Sequence, residues 1–160
     1  MSSYCHTFDM QSWIYRFANI VGERGTHGVL VDFIRKLREK PEKLEILGSG
    51  KQRKSYLEVK DCVRAMIDAV ERSSDETNVF NIGSADAVDV TEIADIVVEQ
   101  MGLSGVQYEY AGGTKGRGWK GDVLVMQLSI EKIKRLGWEP RLGSAGAIRM
   151  AVASLLRDAL

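Results

Sequence analysis

An alternation limits the fold of this chain more than any other feature: short apolar, β-branched or aromatic runs take turns with segments whose apolar residues recur at helical spacing. The run SWIYRF from Ser12 to Phe17 suits a buried strand. A glycine-bearing loop over 19–27 follows. Val29, Leu30, Phe33, Ile34 and Leu37 then share one helical face, with Asp32, Arg35, Lys36, Arg38 and Glu39 opposite and Pro41 ending the pattern. Residues 44–47 predict a strand, GSGKQ a turn, and 55–59 a strand leading into a helix whose buried face is expected to carry Cys62, Val63, Met66, Ile67 and Val70.

The same grammar continues. A strand is expected at 78–82, and then a helix opened by Asp89, with Glu92 three positions on to complete a capping box. Ile93, Ile96, Val97 and Met101 form its core stripe. Next come a strand at 106–110 and the glycine-dense loop AGGTKGRGWKGD. Ser129 is expected to cap a helix that ends at Gly137, and Ile148, Val152, Leu155 and Leu156 give the last helix its apolar face. Strands and helices in this order define an α/β class, read as one domain over 1–160.

Composition removes several functions. Twenty-two basic residues against twenty-two acidic ones leave no net charge, so no nucleic-acid partner is expected through the 51–54 turn or the 35–43 helix end, the latter interleaved by Glu39 and Glu42. No apolar run reaches the roughly 20 residues of a membrane span, and the start MSSYCHTFDMQ does not read as a signal peptide, so a cytoplasmic location is expected. Cys5 and Cys62 form no Cys-x-x-Cys motif and read as reduced thiols. A metal site built on Cys5, His6 and His27 is set aside, because adjacent residues seldom both face one ion.

Several blocks in order carry a resemblance: RFAN at Arg16, IVG ending at Gly22, HGVLVDFI at His27, LEILGSGKQRKSYLEVKD at Leu44, FNIGS at Phe80, VTEIADIVVEQMG, RGWKGD at Arg117 and IEKIKRLGWEPR at Ile130. The chain resembles the C-terminal half of an NAD-dependent epimerase/dehydratase of the extended short-chain dehydrogenase/reductase (SDR) family, the group that includes UDP-glucose 4-epimerase. The resemblance implies the substrate-binding part of a Rossmann-type enzyme, made of short strands and helices. The family's Gly-rich NAD loop and its Tyr-x-x-x-Lys pair, in which lysine lowers the tyrosine pKa for proton transfer, are both expected to be missing. Met1 is expected to fall a dozen or so residues after the family's lysine, inside the helix that carries it. No cofactor is expected for the isolated chain, NAD being bound in the intact family enzyme. The glycines at 112, 113, 116 and 118 are read as a loop over a ligand cleft, since Trp119, Gly121 and Asp122 follow them in place of an apolar helix.

The resemblance also implies ligand roles for a nucleotide sugar. Asn19 matches a residue that donates an amide N–H to the diphosphate, against the plain reading of an Asn that turns the chain. Val29 and Leu30 match the stretch that touches the nucleotide, and their side chains also suit a helix core. Lys54 stands where the family has a phosphate-pairing arginine, with Arg53 able to compensate; the plain alternative is a solvated basic turn. Asp122 matches the acceptor of the ribose hydroxyls, and Arg117 is a candidate second phosphate contact. Trp119 is expected to pack the loop. The expected partner is a nucleotide sugar, bound by a chain inactive on its own. The alternative is a structural or self-associating fragment with no retained ligand site. Either way, exposed strand or helix surfaces are expected to drive homo-oligomer formation.

Overall fold

The computed structural model describes residues 1–113 and 115–157. Its helices are α1 (Ser2–Phe8), α2 (Val29–Glu39), α3 (Val59–Arg72), α4 (Val90–Gln100), α5 (Glu131–Lys134) and α6 (Ser144–Arg157). Its strands are β1 (Ser12–Phe17), β2 (Asn19–Val21), β3 (Lys43–Leu47), β4 (Arg53–Lys54), β5 (Tyr56–Glu58), β6 (Thr77–Ile82), β7 (Val88–Asp89), β8 (Gln107–Ala111) and β9 (Val125–Met126).

Parallel neighbours need a crossover, and the helices supply it. β1 runs parallel to β6, Ser12 opposite Thr77 and Phe17 opposite Ile82. β2 runs parallel to β5 with Asn19 opposite Tyr56, and β3 runs parallel to β8. β4 lies between β7, antiparallel, and β9, parallel. Asp89 opens α4 as expected: its Oδ1 accepts the Glu92 N–H at 2.8 Å. Gly137 takes φ +84°, the left-handed conformation expected there, and its N–H donates to the Lys134 carbonyl at 2.8 Å.

Two apolar clusters hold these pieces. One joins α2, β3, α4 and α6 through Ile34, Leu37, Leu44, Ile46, Ile93, Val97, Ile148 and Val152, all fully buried. The other packs Leu57, Ala65, Ala69, Phe80, Ile82, Ile133 and Trp138 between β5, α3 and β6. Burying a Leu or Ile side chain contributes about 1.5–3 kcal/mol, so each cluster outweighs any single polar contact. Successive strand residues point to opposite faces, and β5 uses this to divide the molecule: Tyr56 packs into the first cluster and Leu57 into the second.

Two expectations are corrected. Ser129 does not cap a helix; its carbonyl accepts the Asn81 amide at 2.9 Å, while the single-turn α5 starts after Ile130 without a side-chain cap. On α3 the buried face is Cys62, Ala65 and Ala69, whereas Val63, Ile67 and Val70 are 51%, 52% and 46% exposed. Both sets recur at helical spacing. The larger residues carry the stronger apolar signal, but the small alanines are the ones that let α3 approach the strands.

Candidate functional site

The ends of β2 and β5, the loop over 22–28 and the first turn of α2 enclose a cleft of ≈ 610 Å³. Asn19, Val29, Leu30 and Lys54, four of the residues expected to bind a ligand, line it. The close approach that shapes it depends on Gly22, where a Cβ would collide with the Val59 side chain at the start of α3. Parallel pairing with β5 places Asn19 at the floor. Its Nδ2 donates to the Ser55 carbonyl at 3.1 Å, using one of two amide hydrogens.

Gly28 precedes α2 with φ +97°, and no side chain caps this helix. The backbone N–H groups of its first turn therefore carry the partial positive charge of a helix start without an intrahelical acceptor. Leu30 serves two purposes: its side chain is buried in the core at 5% exposure, while the residue also borders the cleft.

From the cleft wall, Lys54 Nζ reaches Asp122 Oδ1 at 2.8 Å. The Asp122 side chain is only 9% exposed, and its Oδ2 accepts the Gly118 N–H at 3.1 Å and Gln52 Nε2 at 3.3 Å. Burial opposes ionisation of this carboxyl, but the hydrogen bonds from Lys54, Gly118 and Gln52 and the charge of Lys54 outweigh it and hold its pKa below the usual carboxylate range. The loop reaches this position by folding back at Gly113, which has φ +79° and sits so close to the Arg117 carbonyl that no Cβ fits. Trp119 lies against Gly121 yet stays 65% exposed.

Asp122, Arg53 and Arg117 are not among the residues lining the cleft; Asp122 meets it only through its ion pair with Lys54. Arg53 is exposed on β4 opposite Asp89, and Arg117 is half-buried in the loop beside Gly113. The structure instead brings forward Arg24, Tyr56 and Gln52, which sequence reasoning passed over. Arg24 borders the cleft in a left-handed conformation, φ +62°. A cation inside a glycine-bearing loop ahead of a helix was the available signal for it.

Tyr56 corrects a second expectation, because Tyr56 and Lys60 do stand at Tyr-x-x-x-Lys spacing. The pair does not have the form that the chemistry needs. Tyr56 is on β5 and Lys60 on α3, where the Lys60 ammonium lies 3.8 Å from Glu23. Burial, and then the charge of Asp122, push the Tyr56 phenol up to about 12, opposite to the lowering that a catalytic phenolate requires. Among the described residues, no group of three or more His, Cys, Asp or Glu could hold a metal ion, and no helix is long and apolar enough to cross a membrane.

The cleft thus joins an uncapped helix start, the Asn19 amide and Lys54, whose ammonium is paired with Asp122. The model of the NAD dependent epimerase/dehydratase family matches residues 1–83, and the chain belongs to that family. It is 36% identical to a crystallised UDP-galactose 4-epimerase, with a TM-score of 0.85 over 99% of this chain and 50% of that one. A UDP-glucose 4-epimerase from Thermotoga maritima, crystallised with UDP-glucose, is 26% identical with a TM-score of 0.78 over 98% of this chain and 49% of that one. The low-salt glycan biosynthesis protein Agl12 of Haloferax volcanii is 28% identical over 156 residues, 98% of this chain and 48% of the relative. The chain thus spans about half the length of the relatives it matches.

The glycine-dense loop after β8 leads to β9 and not to a helix, so it offers no helix start for a pyrophosphate. These residues do not fit the NAD of the family's enzymes.

Proposed function

We propose that this chain is the nucleotide-sugar-binding half of an NAD-dependent epimerase/dehydratase, with a UDP-sugar as the ligand class, and that it performs no turnover alone. One observation carries the reading: Asn19, Lys54 and the uncapped start of α2 converge on one cleft from three separate elements. A diphosphate takes hydrogen bonds from the Asn19 amide, the Lys54 ammonium and the backbone N–H groups near Val29 and Leu30. Asp122, acceptor-only when ionised and paired with the cleft residue Lys54, suits ribose hydroxyls. Arg53 on β4 and Arg117 in the loop after β8 stand outside the cleft, whereas Arg24 borders it. The relative crystallised with UDP-glucose supports the ligand class. Isothermal titration calorimetry with UDP and UDP-glucose tests it: binding is expected, and loss on combining Asn19→Ala with Asp122→Asn. No heat from UDP in the unaltered chain refutes it. Incubation with NAD and UDP-glucose is expected to give no product, and robust epimerisation refutes the claim of inactivity.

A second reading, self-association, is favoured by the exposed apolar outer face of α3. Val63, Ile67 and Val70 lie there, and the apolar groove between α3 and β1 is lined by Trp13, Tyr15 and Met66. Among the described residues β1 pairs with β6 alone, which leaves its other edge open. A second copy of this chain is the proposed cover. Sedimentation velocity showing only monomer at high concentration refutes it.

A further inference from the structure

Gln52 sits in the turn between β3 and β4, is 2% exposed, and was assigned no role by the sequence. Its Nε2 donates to the Leu47 carbonyl at 2.9 Å and to Asp122 Oδ2 at 3.3 Å. Both neighbours are acceptors, so the amide can face them only with its nitrogen. Gly48 makes the room, since a Cβ there would collide with Nε2. Leu47 ends a strand anchored by the fully buried Leu44 and Ile46, so the carbonyl that holds the amide belongs to a rigid element. A continuous chain of hydrogen bonds results: strand end, amide, Asp122 carboxylate, Lys54 ammonium, cleft. The Gln52 Oε1 is buried without a hydrogen-bond partner among the described residues. Keeping a buried acceptor unsatisfied costs stability, and that cost accompanies the fixed orientation of the amide.

We propose that Gln52 is a positioning residue of the cleft: it fixes the Asp122 carboxylate so that Lys54 is held in one orientation, with donors free for a phosphate, before ligand arrives. The inference rests on the nucleotide-binding reading. A lysine gives up much rotamer freedom when it grips an anion, and a side chain already held in place gives up less. Gln52 does this without a charge of its own. The charged and titratable groups facing Asp122 are Lys54 on β4 and the Tyr56 phenol on β5, with the Gly118 N–H from its own loop.

The test compares the whole chain with its Gln52→Met variant. Methionine is close in volume and removes the orphaned acceptor with the donor, so the fold is expected to persist, as checked by circular dichroism. Carbon-13 NMR titration of the Asp122 carboxyl, with no nucleotide present, reads the positioning directly, and calorimetry with UDP reads its consequence. The expected result is a carboxyl that titrates at higher pH in Gln52→Met and UDP binding about tenfold weaker. An unchanged Asp122 titration overturns the proposal, and so does a moved titration with unchanged UDP affinity. If the titration moves while the unaltered chain fails to bind UDP, the hold on Asp122 stands and the nucleotide reading falls.

Discussion

Replacing Asp122 with asparagine keeps the shape of the side chain and removes the charge that three donors converge on. The carboxylate is 9% exposed and Lys54 is 25% exposed, so the ammonium would be left partly buried without a counter-charge. Breaking a fully buried pair costs about 3–5 kcal/mol; the partial access of water to Lys54 and the carbonyl that asparagine retains reduce this to about 1–3 kcal/mol at pH 7. For a domain of this size, that corresponds to a Tm lower by roughly 2–12 °C. The pH dependence has a definite sign. The folded Asp122 carboxyl titrates below its ordinary value of about 3.9, so its contribution is fully present above that pH and disappears as the pH falls through the folded pKa. The gap between Asp122→Asn and the unaltered chain should therefore be wide at pH 7 and narrow as the pH falls below the ordinary carboxylate value, as read by thermal unfolding followed by circular dichroism. Equal stability at pH 7, or a gap that stays constant into acid, refutes the role assigned to the pair.

Two further outcomes separate elements that look alike in sequence. Asp89→Ala removes a formed N-cap and should cost about 1 kcal/mol in urea denaturation, whereas Ser129→Ala, where no cap exists, should stay within roughly 0.5 kcal/mol. Changing Val63 and Ile67 together to lysine on the outer face of α3 should leave unfolding within about 1 kcal/mol and yield a smaller species in sedimentation velocity. A large loss of stability would mean that this face packs inside the molecule.

Local features were legible in the residues themselves. The stripe Leu30, Phe33, Ile34 and Leu37 declared α2, Asp89 with Glu92 marked the start of α4, and Gly137 marked a left-handed stop, because each signal lies within a turn or two of the backbone it governs. That Asn19, Val29, Leu30 and Lys54 would share one cleft was legible only through their resemblance to a family, since spacing alone could not bring β2, α2 and β4 together. Periodicity failed on α3, where two apolar stripes compete and only the neighbouring strands decide which is covered. The Tyr56 and Lys60 spacing was overlooked in the sequence, and it carries no catalytic pair because the chain passes from strand to helix between the two residues. Tertiary structure alone could join Lys54 to Asp122, 68 positions away, or place Gln52 between that carboxylate and the end of β3. Helix and strand periods are properties of adjacent residues. A hydrogen bond between distant side chains exists only after the core has set the distance between the elements that carry them.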